Sequence, residues 1–288
     1  MVQISNERIF FCDPCVVARL APTLPEMTWT PENRLQWTIR LVGIGFISGI
    51  LLSWNLWTSR RDYPLFPVWD GVPMFAPGVS ALVALVLIGG LVWMVLRPGR
   101  WNVALFLVLI LFLALQDQSR WQPWVYQYTL MLLPFLFLKR KVEPLRPRSA
   151  GKGKGGMART PLPDRKPDSC GALGLLQFIV VMVYLWGGIH KCQGGWLSVW
   201  ENSLIAPLLS DSGERPIDAL LVGFGYAVPA IEILMALGLL FKRWRIPSVI
   251  VITVTHLTIL MLLGPVKGTI SNSVVWPWNG VMIGMVFL

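Results

Sequence analysis

The chain has 288 residues, a length that allows one or two domains. Hydrophobic residues make up 55% and charged residues only 14%, where a soluble globular domain carries about 25% charged, and mean hydropathy is +0.60. These values exclude a disordered chain, a disulfide scaffold and an ordinary soluble enzyme, and predict an all-α, polytopic membrane bundle.

Residues 1–38 read as a cytoplasmic or interfacial N-terminal segment. It holds Cys12-Asp-Pro-Cys15. A CxxC pair can be redox-active or bind metal. Here the segment is too short for a thioredoxin-like domain, and no further ligands lie near in sequence, so two unpaired thiols and no metal are expected.

Eight nearly uncharged runs come next: Leu41–Trp57, Val79–Leu96, Trp101–Leu115, Trp121–Leu138, Cys170–Ile189, Ala219–Phe241, Ile246–Gly264 and Thr269–Leu288. A membrane helix needs roughly 20 mostly apolar residues. The first run starts behind Arg34 and Arg40, too late for a cleaved signal peptide, and reads as an uncleaved anchor. The third is short. The fourth is polar at its start (Gln122, Gln127) and could begin in a re-entrant or water-lined stretch. The eighth runs to the last residue without a hydrophilic tail, which reads as a chain cut short. The predicted organisation is a single membrane domain, with helices one to four in 39–138, a basic loop over 139–169, and helices five to eight in 170–288. Cys170 and Cys192 flank the fifth run at opposite faces and cannot pair.

With eight crossings, alternate loops fall on opposite sides. One side, including the N-terminal segment and the 139–169 loop, carries 19 of the 25 Lys and Arg residues. That asymmetry predicts a cytoplasmic N-terminus. The loop also contains Lys-Gly-Lys-Gly-Gly and Pro-Leu-Pro, the composition of a flexible connector that could also attract anionic lipid head groups. It lacks interleaved aromatics, so no nucleic-acid partner is expected. Many of the 15 Trp residues, Trp54, Trp57, Trp101 and Trp121 among them, fall where an interfacial belt would put them.

Polar residues inside the runs are the informative exceptions. Glu232 lies nine residues before the end of the sixth run and His256 ten residues into the seventh. Both are therefore at roughly 14–15 Å depth on antiparallel neighbours. A Glu232–His256 pair is expected, either fixing helix packing or relaying protons. A second group gathers on the outer side. It comprises Asp117, Trp121, Trp124 and Tyr126, then Tyr184, Gly187, Gly188, His190, Lys191 and Trp196, and finally Asn272, Trp276, Trp278 and Asn279. The glycines allow close helix approach. Desolvation of Lys191 inside such a site would favour a neutral amine able to act as a base; the alternative is a lysine snorkelling at the interface.

The order and spacing of these motifs (Asp117 to Tyr128, Tyr184 to Trp196, Glu232, His256, and Asn272 with Trp276-Pro-Trp-Asn279) resemble vitamin K-dependent gamma-carboxylase and the bacterial horizontally transferred transmembrane (HTTM) proteins, over roughly Arg34–Leu288. The resemblance implies a helical bundle whose site opens to the lumen or periplasm, with a quinone or quinol (vitamin K-like) as cofactor. It implies that Lys191 deprotonates a quinol, with His190, Glu232 and His256 beside it. Asp117, Trp121, Trp124, Tyr126, Tyr184, Asn272, Trp278 and Asn279 would line the ligand. The family's pattern has a histidine where this chain has Trp124, and no large lumenal domain follows the eighth run. Binding of a quinol or isoprenoid-like lipid is therefore expected rather than carboxylation of a peptide.

Three functions stand as expectations. One is an enzyme-like quinol site in a multi-pass protein of the bacterial inner membrane or an equivalent membrane. A second is a non-catalytic subunit of a respiratory or photosynthetic membrane complex, with membrane lipids and other subunits as partners. A transporter ranks third, because the halves show no inverted repeat.

Overall fold

The computed structural model describes residues 30–61, 63–138, 168–206, 209, 216–263 and 273–288. Among these every regular element is helical: α1 (Pro31–Leu52), α2 (Trp54–Trp57), α3 (Pro77–Leu96), α4 (Arg100–Gln116), α5 (Pro123–Leu132), α6 (Asp168–Lys191), α7 (Trp196–Val199), α8 (Pro216–Leu240), α9 (Lys242–Leu263) and α10 (Val275–Phe287). The Cys12/Cys15 pair, Asn272 and most of the basic loop lie outside the described residues.

Each of the eight apolar runs contains a helix, and the boundaries move for local reasons. α1 begins ten residues before Leu41. Thr30 caps it by accepting from the Asn33 N–H at 3.3 Å, Pro31 occupies the first turn where its missing N–H costs nothing, and Glu32 sits favourably at the positive end. The fourth run gives only the ten residues of α5. Pro134 cannot donate to a helical ladder, and the chain tightens into a 3₁₀ segment over Leu133–Phe137. α6 starts at Asp168, two residues before the apolar run that begins at Cys170. Only Phe241 separates α8 from α9. That turn is tight because Gly238 admits Ser248 against the helix backbone.

Five helices close a ring: α1 packs on α6, α6 on α8, α8 on α9, α9 on α10, and α10 back on α1. α3 lies against α1 and α4, and α5 fills the space beside α1 and α6. Glycines set the distances in α1. A side chain at Gly45 would meet the Tyr128 hydroxyl and Val281, and one at Gly49 would meet the Trp124 ring. Phe46, Ile50, Trp57, Leu87, Met94, Ile110, Tyr128, Met131 and Phe135 form the centre of the core.

Among the described residues, five helices are long and apolar enough to cross a membrane: α1, α3, α6, α8 and α9, with α4 and α10 shorter but also apolar. Their outer surfaces carry the same residue types as the core. In α9 only 17% of the most apolar stretch is buried, and Val254, Leu257 and Met261 point outward. An apolar exterior on this scale requires a non-aqueous surrounding, lipid or protein.

Candidate functional site

Two linked groups of polar side chains form around α6. Lys191 is its last residue and stands seven positions after Tyr184, so both lie on one face of the helix. Gly187 and Gly188 lie between them. At Gly188 a Cβ would come within 2.7 Å of Ile233 Cγ1 and 2.8 Å of the Pro229 carbonyl, so the absence of a side chain lets α8 approach this closely. The approach brings Glu232 to Lys191. Nζ donates to Oε2 at 2.6 Å and to the Gly187 carbonyl at 3.4 Å. The pair is partly sheltered, with Lys191 24% and Glu232 14% exposed. Trp196 sets its ring 5.2 Å from Nζ and adds a cation–π contact.

Trp196 is itself held by a gap in α8. Pro229 has no N–H, so the Gly225 carbonyl lacks its usual helical donor, and the Trp196 indole N–H donates to that oxygen at 2.9 Å. One turn on, Trp200 donates to the Leu221 carbonyl at 2.9 Å. The segment after α6 is thereby fastened over Lys191.

The second group is a hydrogen-bonded line through the ring's interior. Asn279 donates from Nδ2 to the Val275 carbonyl at 2.7 Å, which turns its Oδ1 toward His256 Nδ1 at 2.6 Å. Since Oδ1 only accepts, Nδ1 carries the proton, and the lone pair of Nε2 accepts from the Tyr184 hydroxyl at 2.8 Å. All three residues are buried, and the Trp278 ring lies edge-on to His256 at 6.4 Å between centroids. Trp278 donates to Gln127 Oε1 at 2.7 Å, tying α10 to α5.

Of the expected site residues, Lys191, Glu232, Tyr184, His256, Asn279 and Trp278 fall in this region. The expected Glu232–His256 pair does not form; among the described residues Glu232 bonds Lys191, and His256 bonds Tyr184 and Asn279. Matching depth put the two on neighbouring helices, but rotation about the helix axes faces them toward different partners. His190 is exposed, on the flank of α6 away from this line.

Asp117, Trp121, Trp124 and Tyr126 do not join it. Asp117 is fully buried in an ionic clasp. It pairs with Arg61 at 2.7 Å, stands 3.9 Å from Arg120, and accepts from the Ser119 backbone at 3.2 Å and hydroxyl at 2.9 Å. Arg61 also bonds the Ser119 hydroxyl. Arg120 donates to the Leu113, Leu56 and Trp57 carbonyls. Its burial lowers the guanidinium's proton affinity, while Asp117 acts in the opposite direction. Trp124 is a core residue against Phe46, Trp57 and Tyr128. Trp121 and Tyr126 are exposed.

Three participants escaped the sequence reading. Gln127 was visible as a polar residue within an apolar run, but not as the partner of Trp278. Arg61 stood among outer-side charges with nothing to match it to Asp117, 56 positions away. Pro229 in an apolar run signalled a free carbonyl, without naming Trp196 as its donor. Comparison of the chain with protein-family models, curated proteins and solved structures returns no match.

Proposed function

We propose that the chain is a multi-pass integral membrane protein of the bacterial inner membrane or an equivalent membrane. It would have eight crossings, a cytoplasmic N-terminus, and a site at the Lys191 end of α6 that handles a proton on a quinol or similar isoprenoid-like lipid. The observation that carries this reading is the Lys191–Glu232 pair at 2.6 Å, with the Tyr184–His256–Asn279 line beginning two helical turns away.

Movement of the bridging proton from Nζ to Oε2 leaves a neutral amine beside a neutral carboxyl. The amine then takes the proton of a quinol hydroxyl, and the resulting ammonium stabilises the quinolate. Tyr184, held by His256, orients the far side of the ring. The test is binding and deprotonation of a reduced naphthoquinone by the purified protein, followed by its ultraviolet spectrum. Wild type should shift the quinol toward its anion near neutral pH; Lys191→Ala and Glu232→Gln should each abolish the shift while the protein still inserts and elutes normally. An unchanged shift in Lys191→Ala would overturn the reading.

One observation favours the accessory-subunit reading as a second possibility. The segment between α2 and α3 exposes Tyr63, Phe66, Trp69 and Met74, yet it is pinned to the end of α4 by hydrogen bonds from Val68 to Leu115, Gln118 to Phe66 and Gln116 to Pro73. A fixed loop bearing exposed aromatic residues is suited to a protein partner. Co-purification of stoichiometric subunits after mild solubilisation would favour it.

A further inference from the structure

A cavity of about 80 Å³ lies between α6, α8, α9 and α10 at the end of the bundle opposite Lys191. Its walls are mostly apolar and include Leu176, Val180, Leu240, Val249 and Met285, and Gln177 and Arg245 stand among them. Arg245 donates from Nε to the Leu239 carbonyl at 3.3 Å, which fixes the guanidinium at the turn between α8 and α9. Its two terminal nitrogens have no partner among the described residues. Lys242 and Arg243 stand exposed beside it. Among the described residues this end also carries Arg34, which donates to the Leu288 carbonyl beside the cavity, and Arg97 and Arg100 at the α3–α4 turn.

We propose that this cavity binds one anionic phospholipid from the adjoining leaflet, an acyl chain lying between α6 and α9 and the phosphate oxygens taking the two free Arg245 nitrogens. The chemistry fits in both halves. Guanidinium nitrogens in a fixed fork match the geometry of phosphate oxygens. An apolar cavity at this end of the bundle suits a hydrocarbon chain and not a free ion. The basic surroundings raise the local concentration of anionic lipid without selecting a position; Arg245 supplies the position. The site is independent of the quinol reading, since it uses none of the residues around Lys191.

The test is native mass spectrometry of the full chain in detergent, titrated with phosphatidylglycerol or phosphatidylcholine of the same acyl composition. Wild type should retain one phosphatidylglycerol with at least about tenfold preference over phosphatidylcholine, the scale of one charge-assisted contact. Arg245→Gln should remove the preference, whereas Arg243→Gln should keep it. Val180→Trp, which fills the slot, should weaken retention of both lipids. Inorganic phosphate at millimolar concentration should fail to displace the bound lipid. Equal retention of the two lipids by wild type overturns the proposal without reference to any variant. So does displacement by phosphate together with normal binding in Val180→Trp, which would leave an anion site without a chain. Should Arg245→Gln fail to fold, the wild-type preference and Arg245→Lys, expected to retain part of it, still decide.

Discussion

At the scale of single residues, the ionisable side chains divide by what encloses them. Asp117 faces two arginines in a site closed to solvent, and its removal strands both charges. Asp117→Asn should therefore lower stability by about 3–5 kcal/mol, the cost of breaking a buried ion pair on one side. Thermal unfolding in detergent at matched protein concentration measures it; a loss below about 1 kcal/mol would mean that water reaches the clasp. Lys191 and Glu232 are more accessible, so their pair should be weaker. Lys191→Met or Glu232→Leu alone should each cost about 1–3 kcal/mol, because a partly buried charge is left unmatched. The double variant should cost less than the sum of the two, since no charge remains. A double-mutant cycle reads the coupling directly, and additive losses would show that the 2.6 Å contact carries no energy. Tyr184, His256 and Asn279 form a fully satisfied line, so changing one member should cost more than its own hydrogen bond.

Between elements, the decisive contact is α6 against α8. The two glycines of α6 differ in what they face. A methyl at Gly187 would lie 3.3 Å from Glu232 Oε2 and 3.8 Å from Lys191 Nζ, both ends of flexible side chains. At Gly188 it would meet backbone atoms of α8, the Pro229 carbonyl and the Ile233 nitrogen, which cannot turn aside. Gly188→Ala should thus destabilise by about 1–3 kcal/mol and separate the helices, while Gly187→Ala should stay within about 0.5 kcal/mol of wild type. Unfolding midpoints of the two variants, measured side by side, check this; equal effects would contradict the geometry. The fastening of Trp196 to Gly225 belongs to the same interface, since it depends on Pro229 interrupting the α8 ladder.

For the molecule as a whole, the apolar exterior and the lopsided basic charge together argue for one orientation across a bilayer. Cys192 is exposed just beyond α6, at the end opposite the basic turns. In a background with Cys12, Cys15 and Cys170 replaced by serine, a membrane-impermeant maleimide added to intact cells should label Cys192. Labelling only in inverted vesicles would reverse the proposed topology.

Composition and local pattern were enough for the helical class, the apolar runs and the candidate polar residues within them. All of these are local properties, because helix formation and hydropathy depend on residues a few positions apart. Thr30-Pro31-Glu32 even contained the true start of α1, which the apolar count placed too late. Partnership is a different matter, settled by packing in three dimensions. Depth along two neighbouring helices could be counted from their ends, and so a Glu232–His256 pair looked natural. Which way each helix turns about its axis depends on packing against third and fourth helices, and here that is set by glycines, Pro229 and the bulk of Trp196, Ile233 and Trp278. Those contacts join positions dozens of residues apart, so no short-range pattern encodes them. They give Lys191 to Glu232, His256 to Tyr184 and Asn279, and Asp117 to Arg61.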